Sequence, residues 1–454
     1  MKWPALRPFA RQVRRVCDGL TGMKKPAPEF PAPRRYARDE HTISRRQISS
    51  AALKVLNRLH EGGFRACLVG GGVRDLLLGR EPKDFDIATD ALPEEVHKLF
   101  RNSRLIGRRF RLAHVRFGPE IIEVATFRAA HVAGDGAART NDEGRILRDN
   151  VYGTIDDDVW RRDFTVNALY YDIADFSVID YVGGVEDLEK GVMRLIGDPD
   201  VRYREDPVRM LRAIRFAVKL GFQIDKSAAT PIAKNGHLLE EISSARLFDE
   251  MLKLFHGGCA QESFEALDRH GLLTRLFPLS TLAGTNGGTD SLVRRALENT
   301  DNRIRQGKSV TPAFLVAALL WDAAMKACKK LEKDGMSPHD SLAIAADEVI
   351  SRQTARVAIP RRFTQMTREI WTLQSRLERR TPARSRKVYE HARFRAAYDF
   401  LLLRAADDTR LAELCDWWTR FQEVDENERE TMLSGLKKNS GGRSRRRRRD
   451  GDAA

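Results

Sequence analysis

From residue 49 the apolar positions Ala52, Val55, Leu56 and Leu59 recur at intervals of three and four. That spacing predicts a helix over "SSAALKVLNRLHEGGF" (49–64), capped by Ser49 or Ser50 and stopped at Gly62 and Gly63. The pattern then changes. "RACLVG" is a short continuous apolar run and predicts a buried strand, followed by three glycines, a short helix in "VRDLLLG" closed by Gly79, and a second strand in "DFDIAT". "LPEEVHKLF" predicts a helix with Pro93 in its first turn, and "RLAHVRFGPEIIEVATFR" a β-hairpin turning at Gly118 and Pro119. The polar, Gly-rich stretch from about 130 to 154 predicts a mobile loop. Beyond about residue 200 strand patterns nearly vanish, and helical spacing governs "DPVRMLRAIRFAVKLGF", "ARLFDEMLKLF", "TPAFLVAALLWDAAMKACKKLEK" and "HARFRAAYDFLLLRAA". The fold class expected is α+β, a mixed sheet with helices forming a head, followed by an all-α neck and body.

Composition narrows the class. A chain of 454 residues exceeds a single ordinary core and is read as multidomain. Its apolar runs fall well short of the roughly 18 residues a membrane-spanning helix needs, and the N-terminus has no apolar block behind its basic residues, so neither a transmembrane helix nor a secretory signal is expected. Five widely spaced cysteines without a CxxC pair fit a reduced cytosol and offer neither a zinc site nor a disulfide framework.

Charge is concentrated at the ends. Residues 1–46 hold 12 Lys/Arg against 4 Asp/Glu, a net +8, and residues 436–454 hold 8 against 2, a net +6. With +15 overall, the body between them is nearly neutral. Tails of this kind cannot bury apolar surface and favour a polyanion, nucleic acid above all; an anionic membrane surface would be served by the same charges. The divisions expected are a basic extension over 1–46, disordered in part, a head over 47–200, a helical neck over 201–265, an all-α body over 266–435 and an Arg-rich disordered tail over 436–454.

Two stretches carry chemistry. A strand running into Gly70, Gly71 and Gly72 and then a helix lets backbone N–H groups approach an anion, with Arg74 adding positive potential; a tight turn needing positive φ uses the same residues. Asp84 and Asp86, two apart on a strand, would present two carboxylates on one face. Hard oxygen ligands beside a phosphate-binding turn suit Mg²⁺, and two such ions would serve in-line phosphoryl transfer. For a third carboxylate, Glu123 in "IIEVATFR" and Asp156 in "GTIDDDVWRRDF" both qualify. On a helix Asp206, Arg209 and Arg212 share one side, where they would either read a base edge or form solvated ion pairs.

Together "LVGGGVRDLLLG", "KDFDIAT", "EVATFR", "RRDFTVNAL" and "EDPVRMLRAIRFA" resemble, over about residues 50 to 260, the bacterial class II nucleotidyltransferases of the polymerase-β superfamily. That family comprises the tRNA CCA-adding enzymes and the bacterial poly(A) polymerases. The resemblance implies that Asp84 and Asp86 bind the metals, that Gly71, Gly72 and Arg74 contact the triphosphate, that Arg161 and Arg162 contact the nucleotide, and that Asp206, Arg209 and Arg212 recognise the incoming base. It further implies ATP as substrate, two Mg²⁺ ions, RNA 3′ ends as acceptors, a link to RNA-decay machinery, and a monomeric cytoplasmic enzyme, with peripheral membrane contact left open.

The branch rests on other residues. Where CCA-adding members carry a pattern like GxxHGT, this chain reads "LIGRRFRLAHVRFG", and "GRRFRLAHV" (107–115) resembles the poly(A) polymerase branch, as do the long Arg-rich C-terminus and the helices around Trp417 and Trp418. Arg108, Arg109, Phe110 and Arg111 would suit RNA, with a base stacked on the ring; the paired tryptophans read as helix-packing core. The reading is therefore template-independent addition of AMP to RNA 3′ ends, with a CCA-adding enzyme or a non-catalytic RNA-binding adaptor as alternatives. His339-Asp340 lacks companion histidines and is read as a helix N-terminus rather than a metal pair.

Overall fold

The computed structural model describes residues 31–107, 111–129, 151–280, 292–406 and 408–436, together with the backbone of 138–140 and 146–149. Its eight-stranded sheet comprises β1 (Arg34–Tyr36), β2 (Ala66–Val69), β3 (Asp86–Thr89), β4 (Ser103–Ile106), β5 (Leu112–Phe117), β6 (Glu120–Thr126), β7 (Leu169–Asp172) and β8 (Val178–Asp180). The spatial order is β1-β8-β7-β2-β3-β6-β5-β4. All neighbours are antiparallel except β3 and β6, which run parallel with Asp86 opposite Glu123. This central pair sets the site, because register carries a chemical group on one strand to a fixed position beside its neighbour.

Helix α1 (Ser50–Glu61) is capped by the Ser49 hydroxyl, which accepts from the Ala52 N–H at 3.1 Å, and it buries Ala52, Val55, Leu56 and Leu59 as its spacing required. Residues 34–36 belong to the head, not to the basic extension. They pair as an edge strand with β8, a segment too short for periodicity to reveal. Ile43, also inside the expected extension, is fully buried. Within the expected mobile loop, Ala138–Thr140 and Ile146–Asp149 pair as an antiparallel ribbon, whereas 130–137 and 141–145 lie outside the described residues.

Helices α2 (Gly71–Leu77) and α3 (Ile155–Arg161) belong to the head; α4 (Pro199–Glu205), α5 (Val208–Leu220) and α6 (Ser244–Phe255) follow it. The body contains α7 (Leu292–Arg305), α8 (Pro312–Lys333), α9 (Pro338–Arg356), α10 (Arg361–Glu378), α11 (Phe394–Ala405) and α12 (Ala412–Glu423). One apolar core runs without a break from Ile43 through Met210, Leu254 and Leu320 to Trp371 and Phe400. At its far end Trp321 lies 6.2 Å from the Trp371 ring and 5.3 Å from Phe400, and the Trp371 indole N–H donates to the Ala317 carbonyl at 3.1 Å. Trp418 is core as expected, fully buried with its N–H on the Leu377 carbonyl, while Trp417 is half-exposed against Phe421. His339 and Asp340 start α9, where the Ser337 hydroxyl accepts from the Asp340 N–H at 3.2 Å.

Candidate active site

The fully buried β2 ends at Gly70, whose backbone adopts φ +68 and ψ −133. Only glycine takes that conformation cheaply. The next two glycines open α2 and permit close approach: a Cβ on Gly71 would lie 3.4 Å from Arg74 Nη2, and one on Gly72 3.4 Å from the Asp84 carbonyl. Arg74 points back beneath them and is 3 % exposed; its guanidinium donates to Asp75 Oδ1 at 2.7 Å and 2.8 Å, and to Asn167 Oδ1.

Across the glycine turn β3 begins at Asp86, and Asp84 stands two residues before it, just after the bend at Lys83, instead of lying on the strand as expected. Both aspartates nevertheless line one cleft of about 750 Å³ together with Glu123, Arg161, Arg162, Asp206, Arg209 and Arg212. Among the described residues, neither aspartate makes a side-chain hydrogen bond or ion pair. Asp86 opens toward the cleft but is crowded by protein behind it. That desolvation, followed by the charge of Glu123, raises its carboxyl to about 6 in spite of Arg162. Of the two candidates for a third carboxylate, the structure brings Glu123 into the cleft, with His114 Nε2 3.2 Å from its Oε1. Asp156, in the first turn of α3, is outside the cleft lining and hydrogen-bonded to Tyr181.

The arginine-rich wall of this cleft is a lattice of ion pairs. Arg162 donates to Asp158 Oδ2 at 2.9 Å and 3.1 Å and to the Tyr170 hydroxyl at 2.7 Å. Burial opposes its charge, but Tyr170 and Asp158 outweigh burial and raise its pKa, so it stays a fixed cation. Arg161 donates to the Ala129 carbonyl at 2.6 Å, and burial with three neighbouring arginines lowers it to about 10. Asp206 precedes α5 and is held by Arg246 at 2.7 Å; Arg209 is held by Glu205 at 2.9 Å, and Arg212 Nε by Asp163 at 2.7 Å. Phe216 lies under three guanidinium groups, those of Arg74, Arg212 and Arg215. Asp163, Asn167, Arg215 and Phe216 were missed as site residues although all four stand inside the motifs "RRDFTVNAL" and "EDPVRMLRAIRFA". Arg246, Glu250 and Lys253 come from α6, whose amphipathic pattern signalled only packing.

A second cavity of about 630 Å³ meets the first at Gly71, Arg74, Asp84, Asp86, Arg215 and Lys253 and adds Lys83 and Lys219. The aspartates are thus reached from two sides, one lined by arginines and Glu123, the other by lysines. Arg111 pairs with Glu94 at 2.8 Å and does not line either cavity; Arg108, Arg109 and Phe110 lie outside the described residues.

This fold and site define a nucleotidyltransferase of the polymerase-β type. The chain superposes on the Bacillus stearothermophilus CCA-adding enzyme in complex with CTP with a TM-score of 0.54 at 26% identity, covering 82% of each chain. Residues 66–194 match the poly A polymerase head domain, 221–281 the probable RNA and SrmB-binding site of polymerase A, and 334–451 the polymerase A arginine-rich C-terminus. Poly(A) polymerase I of Salmonella typhimurium is 50% identical over 420 residues, 90% of both chains, whereas a CCA-adding enzyme of Lactobacillus helveticus is 39% identical over only 47% of this chain. The chain belongs to the poly(A) polymerase I family.

Proposed function

We propose that the chain transfers AMP from ATP to RNA 3′ ends without a template, on the cleft built around Asp84 and Asp86. The observation that carries the mechanism is the placement of Asp86 beside Glu123 across the parallel strand pair, with Asp84 next to it and, among the described residues, no cation paired with either aspartate. Such a donor set fits Mg²⁺. Among the described residues, no three His, Cys, Asp or Glu side chains close a metal site unaided; ions held at Asp84 and Asp86 would take their remaining ligands from phosphate and water. When bound to Asp84 and Asp86, the ions would neutralise phosphate charge and favour ionisation of the attacking hydroxyl.

The protein's own groups divide the rest of the work. The glycine turn and Arg74 hold the triphosphate. Arg161 and Arg162 hold the nucleotide against the arginine wall, and Asp206 with Arg209 faces the base edge, where an acceptor beside a donor matches the N6 amine and N1 of adenine. Arg212 stiffens this wall through Asp163. Glu123 orients the acceptor 3′-hydroxyl; the hydroxyl oxygen forms a bond to the α-phosphorus as its proton passes to solvent water, and the bond from the α-phosphorus to the α–β bridging oxygen breaks. Pyrophosphate leaves toward Lys83, Lys219 and Lys253, which line only the glycine side or its junction. The head over 47–200 carries the aspartates, the neck over 201–265 adds base recognition and RNA binding, and the body and tails, with Arg108, Arg109 and Phe110, hold RNA. A monomeric cytoplasmic enzyme that supplies adenylated ends to RNA-decay machinery completes the reading. No helix among the described residues is long and apolar enough to cross a membrane.

The test is extension of a generic RNA and of a tRNA lacking its CCA end, with Mg²⁺ and each nucleoside triphosphate separately. Long ladders with ATP on both RNAs are expected. Addition of only C, C and A to the tRNA would transfer the chain to CCA synthesis, and no extension would leave a binding protein.

A further inference from the structure

A third cavity, of about 440 Å³, lies in the body and shares no residue with the two that meet at the aspartates. It opens between α7, the start of α8, α10 and α11. Phe314 lies along it, braced edge-on against Phe400 at 6.0 Å, and Val310, Met366 and Leu402 extend the apolar surface. Leu402 is 39% exposed although solvent should disfavour so large an aliphatic group.

The lining also carries three guanidinium groups, Arg303, Arg393 and Arg395, against one carboxylate, Asp399. Each arginine is anchored: Arg303 donates to the Ser309 carbonyl at 3.1 Å, Arg393 to Glu369 at 3.3 Å, and Arg395 meets Asp399 at 3.0 Å. These anchors leave N–H groups unspent, since a guanidinium has five. Desolvation raises the Asp399 carboxyl, opposed by Arg395 and Arg303. An apolar slot with an aromatic wall receives a flat heterocycle, cations receive a phosphate, and a carboxylate accepts from an exocyclic amine. The volume lies in the range of small-molecule pockets.

We propose that this cavity binds one nucleotide unit, its base against Phe314 and its phosphate among Arg303, Arg393 and Arg395. The same chemistry is offered by a free nucleoside monophosphate and by an unstacked nucleotide of the acceptor RNA; the second source rests on the transferase reading above.

Two photoprobes distinguish the sources on the full-length protein: an RNA with internal 8-azidoadenosine, and free 8-azido-AMP, each mapped by mass spectrometry. Leu402→Glu, an exposed position that places negative charge at the slot, and Arg303→Ala serve as variants. Crosslinks to the segments bearing Phe314 and Met366 are expected, lost in Leu402→Glu. For an acceptor of about 20 nucleotides, KM should rise about 5- to 10-fold in either variant while KM for ATP holds. If free 8-azido-AMP alone labels these segments and RNA KM is unchanged, the site stands with free nucleotide as its occupant. No labelling from either probe, with every KM unchanged, overturns it. A wild-type protein that extends no RNA would instead strike the transferase reading, leaving the free-nucleotide arm to decide the cavity.

Discussion

Asp86 is kept in an unfavourable state by its neighbours. Desolvation and Glu123 raise its carboxyl to about 6, and among the described residues no cation pairs with it, so the energetic cost of the ionised form is left for a ligand to offset. Replacing it with asparagine keeps the shape and removes the charge. Asp86→Asn is therefore expected to slow AMP addition by about a thousand-fold or more while RNA affinity stays within about two-fold. Single-turnover extension and filter binding check the two numbers separately, and near-wild-type extension would remove Asp86 from the mechanism. Gly70 shows the opposite economy. At φ +68 a side chain would strain the backbone, while its Cβ would only touch Arg162 Nη1 at 3.4 Å, so the demand for glycine is conformational rather than steric.

At the scale of elements, the Asp163 and Arg212 pair ties the segment after α3 to α5. Burial alone would raise the Asp163 carboxyl, but Arg212, Asn167 and the Phe164 N–H hold it below the ordinary aspartate value. A depressed folded-state pKa gives stability that is complete above the unfolded value near 3.9 and is lost as pH falls through the folded one. Asp163→Asn leaves Arg212 without its carboxylate and should cost about 2–3 kcal/mol at pH 7. Urea unfolding at a series of pH values should show the gap between wild type and variant closing below about pH 4; a gap constant to pH 2 would mean that the pair is not what holds these elements together.

Over the whole molecule, the continuous core joining the sheet to the body makes the head depend on helices far along the chain, and the charge that composition revealed lies mostly at the two ends. Deletion of residues 437–454, which carry eight Lys/Arg and two Asp/Glu, should weaken RNA binding and flatten the plot of log affinity against log salt. An unchanged slope would assign the tail to another partner. The same deletion should leave the rate constant for AMP transfer at saturating RNA unchanged, because the segment matched to the head domain, residues 66–194, holds both aspartates.

Local pattern was enough to locate the glycine turn, the aspartates, α1, α5 and the helical body, because strand alternation, helical spacing and glycine punctuation are properties of neighbouring residues. Motif resemblance extended that reading to the arginines of the wall. What the chain alone left open was pairing. That Glu123 and not Asp156 lines the cleft beside Asp86 depended on which strand lies parallel to β3, a contact across 37 positions of sequence that periodicity does not encode. The strand at 34–36 became visible only beside β8, and Arg246 and Lys253 joined the cleft only when α6 packed against the neck. Sequence by itself determined the chemical groups and the elements that carry them. The tertiary structure decided which carboxylates face one another, which cations are already spent on ion pairs, and where a second slot for a base is left open, since those follow from burial and distance between segments remote in the chain.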